Sequence, residues 1–506
     1  MIIILFIPLF LFSLNLSNIL AHPKSYVRDF YLTEFMKETN STVLAYKAYN
    51  SLYKPKPFLH LKILAQKDKL FENIYKCINV KKEYLNDVDV SCIQGGGLTL
   101  KTISTLDKKT LINLYTKLAN GKVKEAIKCF IDDDFSKIFK NRNLGYYFIL
   151  NFPDKRIDQY INNFSIFEDS YFYMFVKSVV LNNLPKLSDS LLKINYKNLD
   201  KKSKWWLFLN AMKCNKEKLA LNILQSMSKN SKTDFWLWRL TNEKKYFNAL
   251  LKRTRIDFYT LFAYEEANKK FFIKNKIIYN SVKSPEYNES NPWDNLKFFD
   301  DFKRSKDLFA FARKLDNNET LALKALVLDK AFNYKINIFI TPDIYNDKNI
   351  SFKSFVYAIA RQESRFIPSS VSRSYALGTM QIMPFLVRAM KGDVFRQFNC
   401  RENIILGVKH LKWLFSKLKD PLMVAYAYNG GIGFVKRKVI PNFKYRGKYE
   451  PFLSMELIPL DESREYGKKV ITNYIIYSHI FGDKNLTLHK LLKKELNLSP
   501  VFAFIF

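Results

Sequence analysis

The chain has 506 residues, too many for one ordinary hydrophobic core, so two or more domains are expected. Its 48% hydrophobic and 25% charged residues exclude a disordered chain, and only 14 Gly and 16 Pro argue for long helices over a many-turned β fold. A formal net charge of +35 attracts polyanions such as nucleic acid, anionic lipid or an acidic polymer, and equally describes a generally basic solvated surface.

The chain opens with an apolar run, Ile2 to Leu16, broken only by Pro8, Ser13 and Asn15. Its length suits the core of a secretory signal rather than a membrane span of about 20 residues. Residues 1–21 are therefore expected to be a signal peptide cut after Ala21, with an uncleaved anchor as the alternative. No later stretch is long enough to span a bilayer. The five cysteines include no CxxC pair, which argues against structural zinc. Cys77 and Cys92 can join in an exported chain, or all five can be buried free thiols.

From about residue 23 to about 330 the pattern reads as helix after helix. Tyr171–Asn183, Lys204–Lys216 and Asp234–Tyr246 resemble one another, and the aromatic pairs Phe172/Tyr173, Trp205/Trp206 and Phe235/Trp236 fall in register. A period near 30 residues is that of stacked helical hairpins. Amphipathic helices in an irregular α domain are the alternative. Gly95, Gly96 and Gly97 mark a flexible joint. The cluster of Pro342, Asp343, Asn346, Asp347 and Asn349 marks a domain boundary, after which Ser351 is expected to cap a helix. On that helix Phe352, Phe355, Val356 and Ile359 make one apolar stripe.

Glu363 lies eleven residues after Phe352, about three turns along the same stripe. A carboxyl aimed at the protein interior keeps its proton more tightly, and a carboxylic acid still protonated near neutral pH suits general-acid attack on a glycosidic oxygen. On this helix alone, a terminal glutamate turned to solvent explains the residue as well.

Further segments follow in order: Glu363-Ser364-Arg365-Phe366, Ser372, Gly378-Thr379-Met380-Gln381-Ile382-Met383-Pro384, Ala427-Tyr428-Asn429-Gly430-Gly431, Glu456-Leu457-Ile458-Pro459 and Glu462-Ser463-Arg464-Glu465-Tyr466. This set, over roughly residues 351–481, resembles the soluble lytic murein transglycosylases. The resemblance implies a mainly all-α fold, an α-superhelical solenoid curled into a ring over residues 22–335 followed by a lysozyme-like α domain over residues 340–482. Residues 483–506 are left as a C-terminal tail. It implies Glu363 as the single catalytic acid, with Ser372, Gln381, Met383, Tyr428 and Glu456 lining the sugar groove. Gly378 and Asn429 are structural members of the motifs. Taken without the family, Tyr428 reads as core filling, Met383 as packing and Gln381 as a loop tie.

The sequence departs from the family pattern at three places. Tyr375 stands where a glycine is usual, Ile432 where Pro is common, and His410 where relatives often carry Tyr. His410 is kept as a sugar-binding candidate beside a plain surface or core role.

The implied reaction breaks the β-1,4 bond between N-acetylmuramic acid and N-acetylglucosamine. Glu363 acts first as acid and then as base, and the sugar's own 6-hydroxyl closes a 1,6-anhydro ring. Two alternatives stand: a muramidase using water, which needs a second carboxylate, and a catalytically silent solenoid scaffold that binds peptidoglycan. The expected partner is the peptidoglycan glycan strand in the periplasm, for a monomer needing no metal or other cofactor. Nucleic acid is not expected, and cell-wall synthesis, secretion or flagellar machinery are the further partners considered.

Overall fold

The structure is a computed structural model that describes residues 14–140, 142–154, 158, 172–274 and 286–493. Most of the N-terminal apolar run, residues 1–13, and the end of the tail, residues 494–506, lie outside the described residues. The described residues form helices joined by turns, with three isolated bridges and no extended strand. No described helix is long and apolar enough to cross a membrane. Two compact units divide the chain.

The first unit runs to Asp134 and includes Val371–Tyr375. Its helices α1 (Tyr26–Glu38), α2 (Thr42–Asn50), α3 (Pro57–Ala65) and α4 (Lys69–Ile78) start where the sequence supplies a cap or a proline. Ser25, Ser41 and Asp68 each accept a first-turn N–H, and Pro57 opens α3, where its missing N–H costs nothing. Leu32, Met36, Ala45, Ala48 and Leu64 form the core, joined by Leu16 and Ile19 from the short helix Leu16–Leu20. A disulfide links Cys77 and Cys92. Of the glycines beside it, Gly97 is held by a close contact. A Cβ on Gly97 would lie 2.2 Å from the Cys77 carbonyl oxygen, so close backbone approach is what requires glycine there.

The second unit holds Phe135–Ser370 and everything after Ala376. Helices α5 (Phe172–Asn182) and α6 (Pro185–Leu191), α7 (Lys201–Lys213) and α8 (Glu217–Gln225), and α9 (Ser231–Thr241) and α10 (Lys244–Leu251) are the successive hairpins that the repeat anticipates. The repeated aromatic residues supply their packing. Phe172, Trp206, Phe235 and Trp236 are buried, and the rings of Phe208 and Trp236 meet edge to face at 5.5 Å. Capping boxes at Asn230/Thr233 and Asp257/Thr260 start α9 and α11 (Phe258–Glu266).

Helix α12 (Ile350–Ser364) carries the apolar stripe as expected, with Phe352, Phe355, Val356 and Ile359 all buried. Its cap is Asn349 and not Ser351: the Asn349 side chain accepts from Phe352 N at 3.0 Å. The Ser351 hydroxyl instead pairs with the hydroxyl of Tyr474 on α15 (Asp461–Ile480). Helix α13 (Cys400–Leu418) closes the stripe through Phe415, 5.0 Å from Phe355, and α14 (Pro421–Gly430) starts at the Asp420 cap. Truncating a ring buried this fully costs about 3–5 kcal/mol, so this packing fixes the end of α12 firmly.

Candidate active site

Glu363 occupies the penultimate position of α12, one residue before Ser364 and two before Arg365, which takes the left-handed conformation that ends the helix. The Ser364 hydroxyl donates to Thr379 O at 2.8 Å and so ties the helix end to the Gly378–Ile382 loop. Glu363 is half-buried, and burial pushes its carboxyl up to about 8. The Tyr466 hydroxyl donates to Glu363 Oε1 at 2.6 Å and works against that shift, while the charge of Glu462 adds to it. Tyr466 and Glu462 are one turn apart on α15, so one helix face delivers both.

Tyr428, on α14, stands beside the acid. Burial, then the Glu363 charge, raises its phenol well above the usual range, so it stays a neutral donor. It donates to Met380 O at 2.7 Å. Asn403 on α13 holds the same loop from the other side, accepting from Met380 N at 2.7 Å and donating to Leu377 O at 3.0 Å. Gly378 meets the two requirements of its position: its φ is +80°, and a Cβ there would lie 2.3 Å from Gln397 O and 2.5 Å from Asn403 Cγ.

The other anticipated residues divide. His410 reaches the site through Tyr428, with ring centroids 5.5 Å apart, and stacks on exposed Trp413 at 5.8 Å. Burial lowers its imidazole to about 4, so it is neutral at pH 7. Asn429 donates to Glu462 at 3.1 Å and accepts from Ser463 at 2.6 Å, which orients the second carboxylate. Gln381 donates to Ser370 O at 3.0 Å and Gly378 O at 2.9 Å, a loop tie for its amide nitrogen. Met383 caps the short helix Pro384–Ala389 and is half-buried. Ser372 belongs to the segment of the first unit and accepts from Ser374 N at 3.1 Å.

Glu456 lies in a different environment, 1% exposed within a buried ionic cluster. Burial alone would raise its carboxyl, but Lys232 at 2.7 Å and Lys468 at 2.9 Å hold it down at about 2, and the Tyr259 hydroxyl donates to it. Sequence reasoning quoted Tyr466 and Glu462 only as motif members and gave neither a role. The signal was available in their i, i+4 spacing, which puts them on one face. Nothing in the sequence pairs Glu456 with Lys232 or Tyr259, which lie about two hundred positions away. Among the described residues no group of three His, Cys, Asp or Glu side chains is placed to hold a metal.

Residues 343–450 match the Transglycosylase SLT domain. The chain is similar to the soluble lytic murein transglycosylase of Salmonella typhimurium, 30% identical over 182 residues, which are 32% of this chain and 27% of that protein. It is likewise similar to that of Escherichia coli K12, 30% identical over 192 residues, 34% of this chain and 29% of the relative. The match thus spans less than a third of the length of these relatives. Among solved structures, an inactive mutant of the lytic transglycosylase Slt from Pseudomonas aeruginosa aligns over 93% of this chain and 90% of its own, at 15% identity and a TM-score of 0.48. The 70 kDa soluble lytic transglycosylase in complex with bulgecin A aligns over 92% and 83%, at 14% identity and a TM-score of 0.43.

Proposed function

We propose that the chain, whose residues 343–450 match the Transglycosylase SLT domain, acts as a lytic transglycosylase that cleaves the β-1,4 bond between N-acetylmuramic acid and N-acetylglucosamine in peptidoglycan and leaves 1,6-anhydro ends. The observation that carries this reading is the Glu363 carboxyl, held near 8 by burial and gripped by Tyr466. At pH 7 the acid is mostly protonated. Tyr466 occupies Oε1, so the proton is carried on Oε2, free to pass to the glycosidic oxygen. The carboxylate left behind is stabilised by the Tyr466 hydroxyl, and it then takes the proton of the 6-hydroxyl as that oxygen attacks the anomeric carbon. Intramolecular attack needs no bound water and gains from the nucleophile being in place already. Tyr428, His410, Gln381, Met383 and Ser372 are proposed to line the groove. Glu456, inside its ionic cluster, is proposed to support the groove from behind.

A second reading rests on Glu462. Its charge raises the Glu363 carboxyl, which puts a second carboxylate within electrostatic reach of the acid, and hydrolysis by water needs two. The products separate the two readings. Sacculi digested with wild-type protein and with Glu363→Gln, read by mass spectrometry, are expected to yield anhydro-muropeptides from the wild type alone. Products heavier by one water would establish the muramidase, and equal release by both proteins would remove Glu363 from its role.

We further propose that residues 22–335 act as the helical platform of a catalytic domain at residues 340–482, and that the protein works in the periplasm. The apolar N-terminus and the Cys77–Cys92 disulfide suit an oxidising compartment. Sequencing the N-terminus of the exported protein distinguishes a cut after Ala21 from a retained segment, in which Leu16 and Ile19 keep their places in the first unit's core.

A further inference from the structure

The second unit contains a cavity of about 870 Å³ away from the Glu363 carboxyl. Helix α12 turns Arg361, Gln362 and Arg365 toward it. At about 100° per residue Arg361 and Gln362 centre on the side of α12 opposite Glu363, and Arg365 is the cap that ends the helix. Helix α15 contributes Lys468, Lys469 and Thr472, and the starts of α9 and α11 complete the wall.

Eight cationic and three acidic side chains line this space, a steeper excess than the 82 and 47 of the whole chain. Four of the cations are accounted for. Arg253 pairs with Asp234, Arg365 with Asp329 at 2.6 Å, and Lys232 and Lys468 with Glu456 and Glu465. The other four, Lys252, Arg255, Arg361 and Lys469, have no acidic partner within ion-pair distance among the described residues. Two of them are held in place without one: the Arg361 guanidinium lies 3.9 Å over the Phe339 ring and that of Arg255 lies 5.3 Å over Tyr334. A guanidinium laid on a ring still has N–H groups to offer a carboxylate or phosphate fork, and Arg361 keeps this capacity while also bonding Tyr477 and lying within reach of the Asp329 charge. The wall that carries them is rigid. The Asn337 side chain accepts from Ile256 N at 2.8 Å and donates to Thr254 O at 2.7 Å and Phe272 O at 3.1 Å.

The size and the lining choose among anions. The volume falls within the roughly 300–1,000 Å³ of organic ligand sites and far exceeds one inorganic ion. Ile256, Phe258, Ile336 and Phe339 give the cationic ring an apolar backing. We propose that this cavity binds a short acidic peptide, with the carboxylates received by Arg255, Arg361, Lys252 and Lys469 and the chain between them resting on the apolar wall. The site is independent of the reaction assigned to Glu363, and its occupant touches the outer sides of the two helices that hold Glu363 and Tyr466.

Calorimetric titration of the full chain tests this with an acetylated tripeptide of one alanine and two glutamates, at about 0.05 M ionic strength where charge attraction is weakly screened. The expected result is one site, weakened at least about tenfold in the double variant Arg255→Gln, Lys469→Gln and unchanged in Lys409→Gln, an exposed cation elsewhere. Arg255 and Lys469 are exposed, so their replacement leaves the core intact. Failure of the tripeptide to bind, or equal binding by the double variant, overturns the proposal. Inorganic phosphate binding as tightly as the tripeptide and displacing it also overturns it, since the site would then take any small anion. Because the readout is binding, an inactive enzyme that still binds the tripeptide refutes only the catalytic reading.

Discussion

Replacing Tyr466 by Phe removes one hydroxyl and leaves the ring. That hydroxyl donates a 2.6 Å hydrogen bond to Glu363 and favours the charged carboxylate against the burial that opposes it. A hydrogen bond to a charged group contributes about 1.5–3 kcal/mol, and each pKa unit is about 1.4 kcal/mol. Its loss should therefore raise the Glu363 carboxyl from about 8 by about one to two units. The two halves of the reaction respond oppositely. The acid stays protonated to higher pH, so the alkaline limb of the pH–rate profile moves up by the same one to two units. The carboxylate formed after proton transfer loses its donor, so the plateau rate falls by about tenfold or more. Anhydro-muropeptide release from sacculi, followed by mass spectrometry from pH 5 to pH 10, reads both effects. An alkaline limb that stays in place while the plateau falls would mean that Tyr466 only supports packing. A limb that moves down would refute the assignment of burial and hydrogen bond as opposing influences on Glu363.

Glu363→Gln has a stability signature separate from activity. The unfolded carboxyl loses its proton near 4.5 and the folded one near 8, so between these values folding takes up a proton and wild-type stability falls as pH rises. The variant escapes that loss, and in urea unfolding it should match the wild type below pH 4.5 and lead it by up to about 3 kcal/mol at pH 7. Gly378→Ala forces a Cβ against Gln397 O and Asn403 at a positive φ and should lower stability by about 2 kcal/mol or more, seen as a lower Tm. Glu456→Gln leaves buried Lys468 and half-buried Lys232 with Glu465 as their remaining counter-charge and should cost up to about 3–5 kcal/mol in denaturant unfolding; a neutral outcome would show that Glu465 and water suffice for the cluster.

The features legible in the sequence were the local ones. The stripe from Phe352 to Ile359 follows from helical period, and the aromatic pairs at Phe172, Trp206 and Trp236 repeat because each hairpin buries the same face against the next. The helix cap was misplaced by two residues because Asn349 and Ser351 are both good capping types. What decides between them is Tyr474, more than a hundred positions on, which takes the Ser351 hydroxyl. Gly97 was misread for the same reason. Its contact is the Cys77 carbonyl, next to the disulfide and invisible to a local reading of turn residues. At the site, Glu363 was singled out by the ordered motifs that follow it, since its stripe alone allowed a glutamate turned to solvent. The partner that tunes it comes from another helix, and that dependence on distant chain is why Tyr466 and the cluster around Glu456 emerge only in three dimensions.

The Glu456 cluster also bears on modularity. Two of its members, Lys232 and Tyr259, come from the hairpin region, and two, Glu456 and Lys468, come from the part that carries Glu363. Cutting the chain near residue 340 would thus separate Glu456 from one of its counter-ions, Lys232, as well as separating two regions. An excised catalytic fragment would expose an acidic and a basic side chain that evolved to be dry, at the foot of the helix that supplies Tyr466. A minimal enzyme built from this protein would have to replace Glu456 and Lys468 as a pair, with polar residues suited to water, before its acid could be compared with that of the full-length chain.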